Sequence, residues 1–496
     1  MARAGETLTR LATLVGGVVV GTDDPHVTDV THDSRSVVPG SLYVAIRGAA
    51  ADGHDFVTAA IEAGAAAVCV DHGMGIASPQ LIVDDTRAVL GALADAVHGS
   101  PSAHVKVIGV TGTNGKTTVT HYIESIAAGA GLTVGLVGTI QTRVGGVGVP
   151  SVRTTPEASD FQRLLAQMRD HGADLVAAEV SSHALEYGRV LATRFAVAAF
   201  TNLSQDHLDF HGDMASYRAS KTRLFTEYEL AMAVVNIDDP VGADLASGYR
   251  GEILTVGVDG HVSATDIVSD RMGSRFRLAT PWGSADVDAP VLGEFNVSNL
   301  VVAATCCLAV GMGFDDVVSG MGHVAGVPGR FEVVSGDDPV TVVVDYAHTP
   351  EGVAKAVDTG RGLTDGRVIA LVGAGGDRDR DKRPAMGAAI SRADLAIITS
   401  DNPRSEEPAS IVEAVAGGID LRADRLIEVD RRRAIELALQ QACPGDLVLI
   451  LGRGHEPMQE AGGERIPFDD RSVAHDALTR LRRSSESDRQ SGSMST

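Results

Sequence analysis

Gly109-Val-Thr-Gly112-Thr-Asn-Gly115-Lys116-Thr117-Thr118 is the stretch on which the reading of this chain turns. It follows the apolar run 107–110 and opens a helical pattern, the setting that a phosphate-cradling loop requires. Glycines let backbone N–H groups turn inward onto phosphate oxygens, and the first turn of the helix adds positive potential. In this reading Lys116 reaches the β and γ phosphates of a nucleotide and the Thr117 hydroxyl serves Mg²⁺. Gly112, Thr113, Asn114, Gly115 and Thr118 complete the cradle. The glycines fall at 109, 112 and 115, with Val110 where the commoner G-x-x-x-x-G-K-[ST] spacing demands glycine.

Working outward, short apolar runs at 107–110, 134–137, 175–180, 196–201 and 233–237 alternate with helical stretches. That rhythm predicts a parallel sheet with helices on both faces. Residues 262–292 break it with shorter alternating strands, an antiparallel addition. A second set of runs, at 340–345, 368–373, 395–399 and 447–451, predicts a second doubly wound unit. Before the loop, runs at 42–46, 66–70 and 81–83 with a helical stretch at 56–63 predict a smaller α/β unit. Leu8, Leu11 and Leu14 mark one face of a short helix stopped by Gly16 and Gly17. Pro101-Ser102 reads as a linker and 326–330 as a hinge. The expected organisation is α/β in three domains, 1–104, 105–335 and 336–483, with a polar, Ser-rich disordered tail at 484–496.

The chain has 496 residues, enough for about three domains. Its 42 basic and 65 acidic side chains give a net charge of −23, spread over all three segments. Such a field repels a long polyanion, so a broad nucleic-acid face is not expected; a local pocket still admits a small anion. Cys69, Cys306, Cys307 and Cys443 show no metal-ligand or CxxC spacing, which fits a reducing cytoplasm. The apolar run 11–21 contains two glycines and is followed by no small-x-small cleavage site, so a secretory leader is not expected. The run 300–314 is too short to span a bilayer.

The variant loop GTNGKT at 112–117 resembles that of the ATP-dependent Mur ligases and their relatives the folylpolyglutamate synthetases. The resemblance extends over roughly 27–475. It includes Thr154-Thr155-Pro156, Glu179-Val-Ser181-Ser182-His183, Thr201-Asn-Leu-Ser-Gln-Asp-His207-Leu-Asp209 and Phe295-Asn296-Val-Ser-Asn299. Further on come Gly329-Arg330, Val344-Asp345-Tyr-Ala-His348, Gly376-Asp-Arg378, Asp401-Asn402-Pro403-Arg404 and Gly452-Arg-Gly-His455-Glu456. Within the family the likeness is greatest to members that add meso-diaminopimelate to UDP-N-acetylmuramoyl-L-alanyl-D-glutamate, using ATP, in cytoplasmic peptidoglycan precursor synthesis.

Amide formation from a carboxylate needs an activated acyl group, and an ATP-derived acyl phosphate supplies it. Negative oxygens must then approach one another, so cations must lie between them. The resemblance implies two Mg²⁺ ions, held by Thr117, Glu179, His207 and Lys221, the last carbamylated by CO₂ to N6-carboxylysine. Taken alone, Lys221 reads as a solvated surface lysine, Glu179 as a strand-end salt bridge and His207 as a helix-cap histidine. Asn296 and Asn299, one turn apart, are nucleotide contacts by resemblance, Asn296 equally an N-cap. Arg330 and Asp345 are implied to close over the nucleotide, and His348 stands open between that site and a turn.

For the substrates the resemblance implies Ser34 at the uridine diphosphate, with Gly48 and Ala49 against uracil. Thr154, Thr155, Ser181 and Arg189 are implied for the muramoyl dipeptide. Tyr187 stands where close relatives have glutamine. Arg378, Asp401, Asn402, Pro403, Arg404, Gly452 and Glu456 are implied for diaminopimelate, whose distal zwitterion needs a cation and an anion. A lysine-adding ligase would leave Arg404 no distal carboxylate to bind. A folylpolyglutamate synthetase has no need of a separate UDP-binding domain before the loop. A non-catalytic phosphate-loop switch needs neither the metal-ligand set nor an amino-acid pocket.

Overall fold

The computed structural model describes residues 5–48, 51–336 and 338–493, with side chains to 483. Its contacts gather the chain into two units. The first is Met1–Leu203, Ala215–Val262 and Val302–Gly320; the second is Ser204–Met214, Ser263–Val301 and Met321–Thr496.

The first unit holds two sheets. The smaller runs Val18–Val20, Gln80–Ile82, Ala67–Val70, Ser41–Val44, Asp29–Thr31, parallel except at its first pairing. The helix Thr86–Val97 packs Leu90, Leu93, Ala94 and Val97 with Leu42, Ala67 and Leu81 of this sheet. The helix Leu8–Val15 ends on Gly16 at φ +68°, as expected; Leu8 and Leu11 are buried, but Leu14 is exposed. Eight residues make barely two turns, so the third leucine rotates off the face. Pro101 and Ser102, expected as a linker, are buried in the short 3₁₀ helix Pro101–Ala103, where Ser102 Oγ accepts from Arg194 N at 3.1 Å.

The larger sheet has eight strands in the order Val147–Pro150, Gln141–Val144, Val134–Val137, Leu175–Glu179, Lys106–Thr111, Phe195–Phe200, Leu230–Asn236, Ile253–Val256. Its last six are parallel, and the inner strands are near-continuous in buried apolar residues, as a sheet covered on both faces requires. The hairpin 141–150 and the last strand were not foreseen. The hairpin's own residues are half-buried or exposed, so they carry little apolar signal.

In the second unit Ser263–Asp270, Gly273–Thr280 and Gly283–Ala289 form the expected antiparallel sheet. A six-stranded sheet follows, ordered Glu332–Val333, Thr341–Asp345, Leu447–Leu451, Val368–Val372, Leu395–Ile398, Arg425–Ile427, parallel except for its first strand. Val343, Ala370, Leu449 and Ile398 meet the helices Pro350–Gly362, Lys382–Ile390 and Pro408–Ala416 on one face; Val342, Ile369, Leu371 and Ile450 meet Arg431–Gln441 and the last helix on the other. That last helix, Asp470–Ser493, runs through the stretch expected as a disordered tail. Once nucleated against the sheet by Val473, Ala474, Ala477 and Leu478, a helix extends through polar residues at small cost. Residues 494–496 of that tail, and Ala49 of the loop expected at uracil, lie outside the described residues.

Candidate active site

In the first unit the strand Lys106–Thr111 ends directly in the phosphate loop, and the helix Lys116–Gly129 begins where it closes. Gly115 stands at φ +86° and Gly112 at φ +148°, backbone that favours glycine. A Cβ on Gly112 would lie 1.9 Å from Thr201 Oγ1. Thr201 and Asn202 brace the loop. Thr201 Oγ1 and Asn202 Nδ2 donate to the Asn114 carbonyl at 2.6 and 3.2 Å, and Asn202 Oδ1 accepts from Asn114 N at 2.9 Å. Lys116 Nζ donates to the Gly112 and Thr113 carbonyls, each at 2.8 Å, which holds the cation inside the loop. Thr113 Oγ1 meets Tyr217 OH at 3.2 Å.

Glu179 ends its strand fully buried, so its carboxylate must be satisfied locally. Oε2 accepts from Thr117 Oγ1 at 2.9 Å and from Thr139 Oγ1 at 3.0 Å, and Oε1 from Thr139 N at 2.6 Å. Its partners are hydroxyls and an amide, not the cation that a strand-end salt bridge needs. Lys221 is not a solvated lysine either. It is 2% exposed, its Nζ donates to the Gly112 carbonyl at 2.8 Å, and it lies 4.5 Å above the Tyr217 ring. The buried residues of its helix, 217, 220, 221, 224 and 225, form one stripe at helical spacing. That stripe was visible in the sequence and places Lys221 inward.

The residues expected at the muramoyl dipeptide cluster beside Glu179. Thr154 Oγ1 meets Thr139 Oγ1 at 3.1 Å, and Thr155 Oγ1 donates to the Glu179 carbonyl at 2.7 Å. Ser181 caps the helix Ser182–Glu186 through Ala184 N at 3.2 Å. Arg189 Nε donates to Glu157 at 2.9 Å, and Tyr187 lies 5.3 Å beneath both Arg87 and Arg189. Tyr187 thus serves as a platform for two guanidinium groups. Ser34 opens the 3₁₀ helix Ser34–Ser36, capped by Asp33, whose carboxyl the Arg35 hydrogen bonds hold down at about 2.

The second unit contains His207, at φ +54°, in the N-cap position of the helix Leu208–His211 but making no side-chain capping bond, so the helix-cap reading holds for its place and not for its ring. The preceding Asp206 accepts from His207 N at 2.9 Å, and its Oδ2 lies 3.4 Å from His207 Nε2 and 3.6 Å from His348 Nε2. Burial works to raise the Asp206 pKa, yet His348, His207 and Lys382 together hold it well below the usual range. Asp206 therefore draws two imidazoles to one carboxylate, a role its place beside His207 in the quoted string did not reveal.

Asn296 is no N-cap. The helix Glu294–Ala309 begins two residues earlier, and Asn296 Nδ2 turns back to the Leu292 carbonyl at 3.1 Å, while Asn299 Nδ2 meets Asn296 Oδ1 at 3.4 Å. Gly293, at φ +84°, starts the helix earlier than polarity suggests. Asp345 accepts from Phe331 N at 2.7 Å and Ala347 N at 2.8 Å. Burial pushes its carboxyl up, against the pull of Arg330, whose guanidinium lies 4.2 Å over the Tyr346 ring.

The residues expected at the amino acid converge at the carboxyl ends of Val368–Val372, Leu395–Ile398 and Leu447–Leu451, where ligands meet doubly wound sheets. A Cβ on Gly375 would lie 2.9 Å from Arg404 Nη1 and 3.7 Å from Arg378 Cγ, and one on Gly376 would lie 1.9 Å from the Pro403 carbonyl. Gly452, at φ +113°, leaves room for Asp401 Oδ2. Asn402 Nδ2 donates to Glu456 Oε2 at 2.7 Å. Burial, then the Asp401 carboxylate, raises the Glu456 pKa. Arg404, at φ +52°, donates from Nη1 to the Gly376 carbonyl at 2.5 Å; Arg378 is exposed.

Sequence reasoning missed the frame of this pocket. Fully buried Arg453 donates to Asn402 Oδ1 at 2.7 Å and to the Met458 and Phe468 carbonyls at 2.9 and 3.0 Å. Arg431, equally buried, holds Asp470 bidentately at 2.8 and 2.7 Å and reaches the Ser400 and Leu451 carbonyls. Partners so far apart in the chain leave no local signal.

Family models match three stretches: "Mur ligase family, catalytic domain" at 26–98, "Mur ligase middle domain" at 110–307, and "Mur ligase, glutamate ligase domain" at 329–454. The chain is 43% identical over 485 residues to a UDP-N-acetylmuramoyl-L-alanyl-D-glutamate–2,6-diaminopimelate ligase from Geobacillus thermodenitrificans, covering 96% of this chain and 99% of that one. The Aquifex aeolicus protein of the same name is 45% identical over 453 residues, 91% and 94% covered. A solved ligase of that name superposes with a TM-score of 0.69 at 31% identity, over 96% of this chain and 99% of its own. With its three-domain α/β architecture and near-full-length identity to these relatives, the chain belongs to the Mur ligase family.

Proposed function

We infer that this chain is an ATP-dependent ligase that joins meso-diaminopimelate to the D-glutamyl carboxylate of UDP-N-acetylmuramoyl-L-alanyl-D-glutamate, in the cytoplasm. The observation that supports the substrate choice is that the turn 401–404 carries Arg404 and, through Asn402, holds the Glu456 carboxylate at 2.7 Å, so one turn brings a cation and an anion to the strand ends for the distal zwitterion. A substrate carboxylate oxygen attacks the γ-phosphorus and ADP leaves; the amine nitrogen then attacks the acyl carbon and phosphate leaves. Lys116, held within its loop, is the cation beside the transferring phosphoryl group.

Thr117 and Glu179 offer hard oxygen donors 2.9 Å apart, a set that fits Mg²⁺. They would hold one ion, with His207 and carbamylated Lys221 at a second. Mg²⁺ supplies charge neutralisation between phosphate and carboxylate oxygens. The burial of Lys221 against the loop supports its reading as a modified ligand. Asp206 orients the His207 ring. Asn296, Asn299, Arg330 and Asp345 receive the nucleotide, Ser34 the uridine diphosphate, and Thr154, Thr155, Ser181 and Arg189 the dipeptide. Among the described residues no helix is long and apolar enough to cross a membrane. The test is coupling of the UDP-dipeptide with diaminopimelate or with lysine, read by mass spectrometry. A product with lysine in preference to diaminopimelate would overturn the assignment.

A further inference from the structure

Away from the groups above, the small N-terminal sheet brings two histidines and two carboxylates together. His54 lies in the 3₁₀ helix Gly53–Phe56, which Asp52 caps; Asp71 and His72 directly follow the strand Ala67–Val70. His54 is buried and His72 exposed, and their rings stack at 5.0 Å with 29° between planes.

Both ring nitrogens of His54 have partners. Nδ1 faces Asp52 Oδ1 at 2.6 Å and so carries the proton, while Nε2 accepts from Asp71 N at 3.3 Å. Yet Asp71 Oδ1 lies 3.2 Å from that same Nε2, and 2.5 Å from His72 Nδ1. The amide contact to Nε2 is long, and the Asp71 carboxylate lies equally near, so a cation that took the Nε2 lone pair would exchange that contact for bonds to both groups. Two ligands of a tetrahedral zinc, each about 2.0–2.1 Å from it, stand roughly 3.3 Å apart, close to the His54–Asp71 separation. His54, Asp71 and His72 each offer one donor atom and these lie within 4.8 Å of one another, the one such group among the described residues; metal binding would release the proton that His72 Nδ1 shares with Asp71 Oδ1. The outer contacts are those of a metal-binding histidine: Asp52 orients the ring from behind. Arg47 holds Asp71 Oδ2 at 2.7 Å, and its Nη2 lies 3.3 Å from Oδ1. Its side chain is 64% exposed and free to swing toward solvent.

We propose that His54, Asp71 and His72 form a binding site for a divalent transition-metal ion, separate from the catalytic Mg²⁺ ligands. Imidazole and carboxylate donors in this number select ions of the zinc and nickel class over Mg²⁺. Bound there, the ion ties the turn at 52–54 to the carboxyl end of the central strand Ala67–Val70 and stiffens that end of the sheet.

The test uses the full chain with millimolar Mg²⁺ present and Zn²⁺ as probe, measured by competition with a chromophoric chelator at pH 7.5. One equivalent is expected in the wild type, weakened at least tenfold in both His72→Ala and Asp71→Asn and unchanged in His171→Ala, a control on another surface. Because His72 is exposed, His72→Ala is expected to keep the metal-free Tm while losing the zinc-dependent rise. A wild type that takes up no stoichiometric zinc, as when a His54 imidazolium bridges the two carboxylates instead, would overturn the proposal. So would equal affinity in wild type and His72→Ala.

Discussion

The two doubly wound sheets solve the same problem, presenting charge at the carboxyl ends of parallel strands, by different means. The sheet built on Lys106–Thr111 does so with one continuous loop, whose shape is held by glycines and short polar side chains within hydrogen-bonding distance. The sheet built on Leu447–Leu451 assembles its pocket from turns at 375–378, 401–404 and 452–456. Buried Arg431 and Arg453 hold those turns in register. On the proposed assignments, a cradle for phosphate needs backbone N–H groups, which any chain carries, whereas a pocket for one amino acid needs side chains placed from several strands. The first arrangement concentrates its information and the second distributes it.

The sharpest way to break the comparison is at the frame. Arg431→Met takes from buried Asp470 its bidentate partner, leaving only Arg453 at 4.0 Å, and is expected to cost about 3 kcal/mol in urea unfolding. Arg431→Met combined with Asp470→Leu should recover most of that. Single and double variants of equal stability would mean that the pair does not hold the pocket.

Lys116→Ala acts on the other side of the comparison. It is expected to lower turnover by about 10²–10³-fold with an unchanged unfolding curve, since the loop is braced by Thr201 and Asn202. Near-normal phosphate release from the folded variant would remove Lys116 from the transferring phosphoryl group. Arg404→Ala is expected to raise the KM for diaminopimelate by tens-fold, matching the loss of a charged hydrogen bond of roughly 1.5–3 kcal/mol. The KM values for ATP and the UDP substrate should stay put; a shift in the ATP constant alone would move Arg404 to the nucleotide site.

Asp206→Asn keeps the shape but discards the charge facing both imidazoles. Turnover should fall about tenfold, with a raised Mg²⁺ requirement measured by titration, and histidine NMR should show both rings released. Intact ring signals would leave Asp206 with a purely local role.

The smallest effect expected is at Arg35. Its hydrogen bonds hold Asp33 at about 2, so the ionised form stabilises the fold above the ordinary aspartate pKa near 3.9. That contribution fades as pH falls toward 2. In Arg35→Ala the Asp33 carboxyl should titrate near its ordinary value by NMR, and the acid slope should flatten between those limits.

Much of the fold was legible because its strands are apolar runs: 107–110, 134–137 and 447–451 coincide with observed strands to within a residue or two. Glu332–Val333 and Arg425–Ile427 escaped because two or three edge residues of mixed polarity carry no period. In the site, the phosphate loop was readable as one string. Thr139 was not, because its importance lies in facing Glu179 from 40 residues away. Lys221 sat on a readable buried stripe, but its charge pointed toward solvent as an isolated residue. The cap alternative for Asn296 fails because the helix starts at Glu294, before it.

Gly112 carries one more consequence. A methyl group there would collide with the Thr201 hydroxyl, which itself closes on the Asn114 carbonyl, so loop and brace interlock without any ligand. On the proposed reading the phosphates meet a loop that needs little reordering, so little ordering entropy at the loop itself opposes them. The amide hydrogens of Thr113 and Asn114, both held by Asn202, should accordingly exchange slowly.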